Sequence, residues 1–299
     1  MPINKLGEFR LIERFRRRIK TGPGVIVGSG DDCAVLAFDQ KSYQLFTCDM
    51  LVEGVDFRSN EDPRLIGRKA IAVSISDIAA CAGKPTHCLV SLGLPKKTSL
   101  KFCDQLFKGM RDIASQYKIN IVGGDLSQSE KLVVDVSMLG LVEKKYLVLR
   151  NAAQKRDIIF VSGSLGGTIS GKHLKFTPRV KEARWLVENF KLNSMIDISD
   201  GLLADLGHIL KASKVGALIF APRVPLNKNA RGLNNALTAG EDFELLFTVS
   251  PDQANKIFAD KRGRNFRAIG EVIDKKYGLK VIDHTGKEMV ITGKGYRHF

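Results

Sequence analysis

Gly28-Ser29-Gly30-Asp31-Asp32-Cys33-Ala34-Val35-Leu36 sets two carboxylates between glycines and an apolar run, and variants of this arrangement recur along the chain. Asp49 closes Leu45-Phe46-Thr47-Cys48-Asp49, and Asp77 closes Ser74-Ile75-Ser76-Asp77. Asp125 follows Gly123-Gly124, while Asp197 and Asp200 come from Ile196-Asp197-Ile198-Ser199-Asp200-Gly201. A carboxylate that follows a strand finds no apolar pocket and points into whatever opens at the sheet edge. Several carboxylates from distant segments repel one another at close range unless cations neutralise them. Hard oxygen donors suit Mg²⁺, which keeps waters and is commonly shared with substrate phosphates. Metal-bridged phosphates permit phosphoryl transfer by positioning and charge neutralisation. The glycines at 28, 30, 123 and 124 let backbone N–H groups approach a phosphate closely. Taken singly, each aspartate also reads as a cap or turn residue, and Asp200 could simply cap the helix that follows it.

Outward from these aspartates, apolar periodicity reads as a chain of mixed α and β structure throughout. Residues 5–20 have amphipathic helical spacing, with Leu11, Ile12, Phe15 and Ile19 marking one buried face and the arginines between Arg14 and Lys20 mostly outside it. Runs at 25–28, 43–48 and 89–94 read as strands, and 64–82 and 99–117 as helices. Residues 119–122 and 131–139 read as strands around a Gly-Gly-Asp turn. In the second half, strands at 157–162, 217–220, 243–249 and 266–272 mix with helices at 179–190, 201–213 and 251–259. Strand runs such as 132–138 are only partly apolar, which fits mixed or antiparallel sheets better than a buried parallel one. The polar stretch 143–156 is the best boundary, dividing 1–146 from 147–299.

A length of 299 residues allows one large domain or two ordinary ones. No apolar run reaches the ~18 residues of a membrane-spanning helix, and the N-terminus lacks the apolar core of a signal peptide. The five cysteines are odd in number and form no C-x-x-C pair, which argues against a disulfide framework or zinc site and suits the cytoplasm. The net charge of +15 raises nucleic acid as a partner, but no RNA-recognition motif, zinc finger or interleaved aromatic pattern accompanies it. There is no G-x-x-x-x-G-K-[ST] loop, no paired H-R-D and D-F-G, and no G-x-S-x-G elbow. Any ATP binding must use another architecture.

The motifs together resemble those of thiamine-monophosphate kinases. The likeness runs through Gly30-Asp31-Asp32-Cys33-Ala34-Val35-Leu36, Asp49-Met50-Leu51-Val52-Glu53-Gly54-Val55, Lys69-Ala70-Ile71-Ala72-Val73-Ser74-Ile75-Ser76-Asp77 and Val122-Gly123-Gly124-Asp125. It continues through Leu149-Arg150-Asn151, Ile196-Asp197-Ile198-Ser199-Asp200-Gly201, Ala239-Gly240-Glu241-Asp242-Phe243-Glu244-Leu245 and Gly295-Tyr296-Arg297-His298-Phe299, in order over nearly the whole chain. The resemblance implies an α/β (α+β) two-domain fold like that of aminoimidazole ribonucleotide synthetase. The N-terminal domain would bind ATP and Mg²⁺ and pair with its twin in a homodimer whose interface is a β-barrel, and a C-terminal α/β domain would follow. ATP and thiamine monophosphate would meet in a cleft with several Mg²⁺ ions. Transfer would be direct, without a phosphoenzyme or a catalytic side chain beyond the metal ligands.

Carried over by position, Asp32, Thr47, Cys48, Asp49, Asp77, Asp125, Asp197 and Asp200 match metal-site positions. Gly124, Asp125, Arg150 and Ser199 match ATP contacts, and Asp56, Glu241 and Tyr296 match substrate contacts. Three positions depart from the family pattern. Asp56 stands where histidine is usual, Cys48 replaces a hydroxyl with a thiol that is a poor Mg²⁺ ligand, and Leu126 removes a hydroxyl beside the ATP phosphates. Alternatives are an enzyme of the same fold with another substrate and a non-enzymatic basic binding protein. The resemblance implies neither a nucleic-acid nor a membrane partner.

Overall fold

In the computed structural model, which describes residues 3–293 and 295–298, the strands assemble into two six-stranded sheets. The first contains β1 (Val25–Val27), β2 (Ala34–Ala37), β3 (Ser42–Val52), β4 (Lys84–Leu94), β5 (Asn120–Gln128) and β6 (Val133–Glu143), in the order β1-β2-β3-β6-β4-β5. All its pairings are antiparallel except β4 with β5. The second contains β7 (Ile158–Val161), β8 (Ser194–Asp197), β9 (Gly216–Phe220), β10 (Leu245–Val249), β11 (Arg267–Ile273) and β12 (Leu279–Ile282), in the order β12-β9-β11-β7-β10-β8. Here only β12 with β9 is parallel. Two α/β units are present, but the first sheet is open, so no barrel closes within one chain.

The helices are α1 (Ile3–Leu6), α2 (Glu8–Arg16), α3 (Pro63–Ala80), α4 (Leu100–Tyr117), α5 (Lys172–Lys175), α6 (Val180–Asn189), α7 (Leu202–Ser213), α8 (Leu233–Thr238) and α9 (Pro251–Ala259). None among the described residues is long and apolar enough to cross a membrane. α3 starts where the Asp62 side chain accepts from Arg64 N at 2.8 Å, with Pro63 in the first turn. Thirteen of its 18 residues are buried, so it is the central helix rather than a surface one. It packs on the first sheet through Ile71, Ile75 and Ile78 and against α4. That helix pair needs glycine: a Cβ at Gly109 would lie 1.8 Å from Arg64 O. α3 also reaches the second half, where Arg68 donates to Leu174 O at 3.2 Å and Phe176 O at 2.5 Å.

The second sheet is covered on both faces. Ile159, Val161, Ile196 and Leu246 pack with Leu206 and Ile209 of α7, while Phe160, Met195 and Phe247 pack with Leu186 of α6 and Ile257 of α9. Accordingly β8 and β10 are buried at every position.

Three sequence readings need correction. The expected helix over 5–20 breaks at Gly7 and ends at Arg16. Its apolar face is not buried: Ile12, Phe15 and Ile19 are exposed, because no element among the described residues covers that side. Gly123-Gly124-Asp125 is no turn but the middle of β5. Glycine serves strand packing there, since a Cβ at Gly124 would meet Val90 O of β4 at 1.7 Å. The strands β2, β8 and β12 were not foreseen.

Candidate functional site

The aspartates converge, although only Asp197 stands at the end of a strand. Asp32 precedes β2, Asp77 lies in the last turn of α3 and Asp197 ends β8. One carboxylate oxygen from each lies within 4.8 Å of the others, so two distant segments of the first half and one of the second form one cluster. Asp49 joins it from β3, where the side-chain alternation points Thr47 and Asp49 inward. Hydroxyls and a guanidinium orient the group. Thr47 Oγ1 donates to Asp77 at 2.5 Å, Ser74 Oγ to Asp49 at 2.8 Å and Ser76 Oγ to Asp197 at 2.6 Å. Arg150 Nη2 donates to Asp32 at 2.7 Å, and its backbone N–H donates to Asp31 at 3.0 Å.

Electrostatics expose what the cluster lacks. Burial, helped by the Asp32 charge, pushes the Asp197 carboxyl up to about 8. Burial and then the Asp49, Asp197 and Asp32 charges hold Asp77 well above the usual range. Asp49 and Asp200 rise to about 6, chiefly through burial. Asp32 is raised by burial despite Arg150. Among the described residues, protein cations do not balance the group, and its donors are hard oxygens from at least three segments. That donor set fits divalent cations of the Mg²⁺ kind, which would restore the ionised carboxylates.

Beside the cluster lies a cavity of about 640 Å³, lined among others by Asp49, Asp56, Asp200, Glu241, Phe243 and Tyr296. Ser199 and Asp200 reach it on a turn that Asp205 fixes, its carboxylate accepting from Asp200 N at 3.1 Å and Gly201 N at 3.0 Å. Tyr296 is anchored by its N–H to Asp200 O at 2.9 Å. Phe299, part of the C-terminal motif, lies outside the described residues. The Asp56 carboxylate accepts from Val52 N at 2.8 Å, so the residue that departs from the family pattern serves first as a loop clasp. Glu241 and Phe243 have φ of 66° and 50°, a left-handed conformation costing ~1–3 kcal/mol each that surrounding contacts must hold. Their N–H groups donate to Ser199 O and Ile198 O, both at 2.7 Å, and Phe176 stacks on Phe243 at 4.1 Å.

Two groups of sequence candidates stay apart from the cluster. The Cys48 side chain lies on the outer face of β3, opposite Thr47 and Asp49, because successive strand residues alternate. Gly124 and Asp125 sit on exposed β5, three strand spacings from β3, or roughly 14 Å. Register aligns Asp125 through Ser91 and Asp135 with Met50, in the outer row rather than the Asp49 row. Three contributors were not singled out from sequence: Lys69, Ser74 and Ser76. Their signal was available, as polar residues inside a helical run otherwise apolar on every side.

Residues 30–142 match the family described as AIR synthase related protein, N-terminal domain, and residues 147–282 its C-terminal domain. A thiamine-monophosphate kinase of Rhodopirellula baltica is 36% identical over 301 residues, covering 95% of this chain and 94% of its own. One from Buchnera aphidicola subsp. Schizaphis graminum is 35% identical, with 98% of each chain covered. The solved structure "AaThiL complexed with AMPPCP and TMP" superposes with a TM-score of 0.87 at 30% identity, covering 100% of this chain and 99% of that one.

Proposed function

Because the chain belongs to the thiamine-monophosphate kinase family, we propose that its cavity and carboxylate cluster move the γ-phosphate of ATP onto the phosphate of thiamine monophosphate, giving thiamine diphosphate and ADP. The observation that carries this reading is the meeting of Asp32, Asp77 and Asp197 beside a cavity walled by Glu241 and Tyr296. Both substrates are polyanions, and the cluster alone would repel them. Asp32, Asp49, Asp77, Asp197 and Asp200, with Thr47 alongside, would hold several Mg²⁺ ions, which would supply the missing positive charge and neutralise the phosphates. The chain's own work is then positional. Ser74 and Ser76 hold two of the ligands, and Arg150 is placed to turn from Asp32 toward the polyphosphate. Ser199 lies at the cavity for ATP, and Tyr296 offers an aromatic face to the cationic ring of the acceptor. Burial of the cluster keeps water from competing for the transferred group.

The same reading takes the chain as a homodimer, with residues 1–146 carrying the dimer contact and sharing the ATP and Mg²⁺ ligands with Arg150, Asp197, Ser199 and Asp200 of the second half. Support comes from the outer face of the first sheet, where Phe46, Met50 and Leu89 are exposed together with Val122 of the edge strand. An apolar sheet face of this kind normally covers itself. We assign Gly124 and Asp125 to ATP binding at that edge, where a second copy would dock. Action in the cytoplasm is supported by the five free cysteines. The test is a discontinuous assay with ATP, Mg²⁺ and thiamine monophosphate, separating products by chromatography. Thiamine diphosphate with matching ADP is the expected result, and ATP binding without that product would overturn the choice of acceptor.

A further inference from the structure

α3 is apolar on nearly every side, yet Lys69 in its second turn has 0% exposure. Its ammonium donates to Asp56 O at 2.6 Å and pairs with the Glu241 carboxylate. Asp56 belongs to the loop after β3, and Glu241 to the segment between α8 and β10. One buried cation therefore ties together two walls of the cavity that come from different halves of the chain. Lys69 is not among the lining residues, so it reaches a bound molecule only through these partners.

The surroundings show why such a tie is needed. The Glu241 backbone is held left-handed by its N–H bond to Ser199 O, which fixes the main chain but leaves the side chain free to swing. The hydrogen bond to the Glu241 carboxylate comes from Lys69. The Val52 N–H likewise holds the Asp56 side chain, while Lys69 holds its carbonyl. Removing the ammonium would leave a carboxylate unaimed at the wall and strip the Asp56 carbonyl of its buried donor, leaving the loop only its own short-range bonds and those to Leu132.

We propose that Lys69 is a positioning residue for the acceptor, aiming Glu241 and fixing the 53–57 loop so that the cavity selects a cationic heteroaromatic phosphate ester. This rests on the reading of the cavity as the acceptor site. Steady-state kinetics of the full chain, varying ATP and thiamine monophosphate separately, test it. Lys69→Met is expected to raise KM for thiamine monophosphate about tenfold or more while KM for ATP stays within about twofold. Lys69→Arg keeps the charge and is expected to recover most of that loss. A merely structural role would lower Tm and kcat and leave both KM values unmoved, and that outcome overturns the proposal. Should Lys69→Met fail to fold, Lys69→Gln, which retains a donor without the charge, is expected to give the same split, and equal changes in both KM values would overturn it. If the unmodified chain does not turn over thiamine monophosphate, the functional reading falls and this proposal with it. If it does, and the variants leave that KM unchanged, only the positioning role falls.

Discussion

The two sheets have six strands each and mostly antiparallel pairing, yet they are finished differently. In the second, β8 and β10 are buried at every residue between two helical layers. In the first, α3 and α4 cover one face, and the other shows Phe46, Met50 and Leu89 to solvent. Along β3 the divide runs residue by residue, with Thr47 and Asp49 inside and Phe46, Cys48 and Met50 outside. The second sheet is a scaffold that lends the site its Asp197 end. The first sets Thr47 and Asp49 toward the carboxylate cluster on its inner row and leaves its outer row exposed.

The carboxylate cluster that α3 holds over the inner row gives the largest expected effect. Asp77→Asn should cut turnover about a thousandfold or more while far-UV circular dichroism and Tm stay near those of the parent. Near-normal kcat would remove Asp77 from the metal site. The sealed sheet should fail in the opposite way. Phe247, fully buried between Phe160 and Phe266, should cost about 3–5 kcal/mol of stability as Phe247→Ala by chemical denaturation, with kcat per folded molecule unchanged. A large kcat loss in the folded variant would show that the two sheets are not separate in role.

Acidity sharpens the comparison further. Asp197 near 8 and Asp49 and Asp200 near 6 all sit above the ordinary Asp value of 3.8. The folded state therefore binds more protons than the unfolded one between about 4 and 8, and stability falls as pH rises through that window. With chelator present, Tm should drop between pH 5 and pH 8, and Mg²⁺ with an ATP analogue should restore it at pH 8. A Tm that is flat or rising with pH in chelator would mean that the cluster is neutralised by the protein itself. On the outer row, Leu89→Lys should shift sedimentation from dimer to monomer with a stability change within about 0.5 kcal/mol. A monomeric parent protein would remove that face as an interface. The smallest effect is expected for Cys48→Ser, which should leave kcat and the Mg²⁺ requirement within about twofold, because its side chain faces away from the cluster. A tenfold loss would bring Cys48 back into the site.

Much of this division was legible in the sequence, and the misses have physical causes. The aspartates beside apolar runs could be read because a carboxylate there has few other uses, though Asp77 comes from a helix and Asp49 from within a strand. Asp125 carried the same signal, yet it lies on the outer row, because register across β6 and β4 decides the face and short-range pattern does not carry register. Gly123-Gly124 looked like turn chemistry because the need for glycine came from β4, a strand remote in sequence. The apolar stripe of α2 obeyed helical spacing, but spacing says only that residues share a side, not that anything covers it. Lys69 stood in plain sight as a charge in an apolar helix, and only the fold brings it to Glu241, 172 residues away.

One helix carries Arg68, Lys69 and Ser76, and each is bonded into the second half, to the Leu174 and Phe176 carbonyls, to Glu241 and to Asp197. A cleft riveted along its floor in this way cannot open like a pair of jaws without shearing its own catalytic geometry. Any adjustment to substrate and product then falls to the rim, where the Tyr296 N–H is held by Asp200 O and its ring meets His298 edge-on.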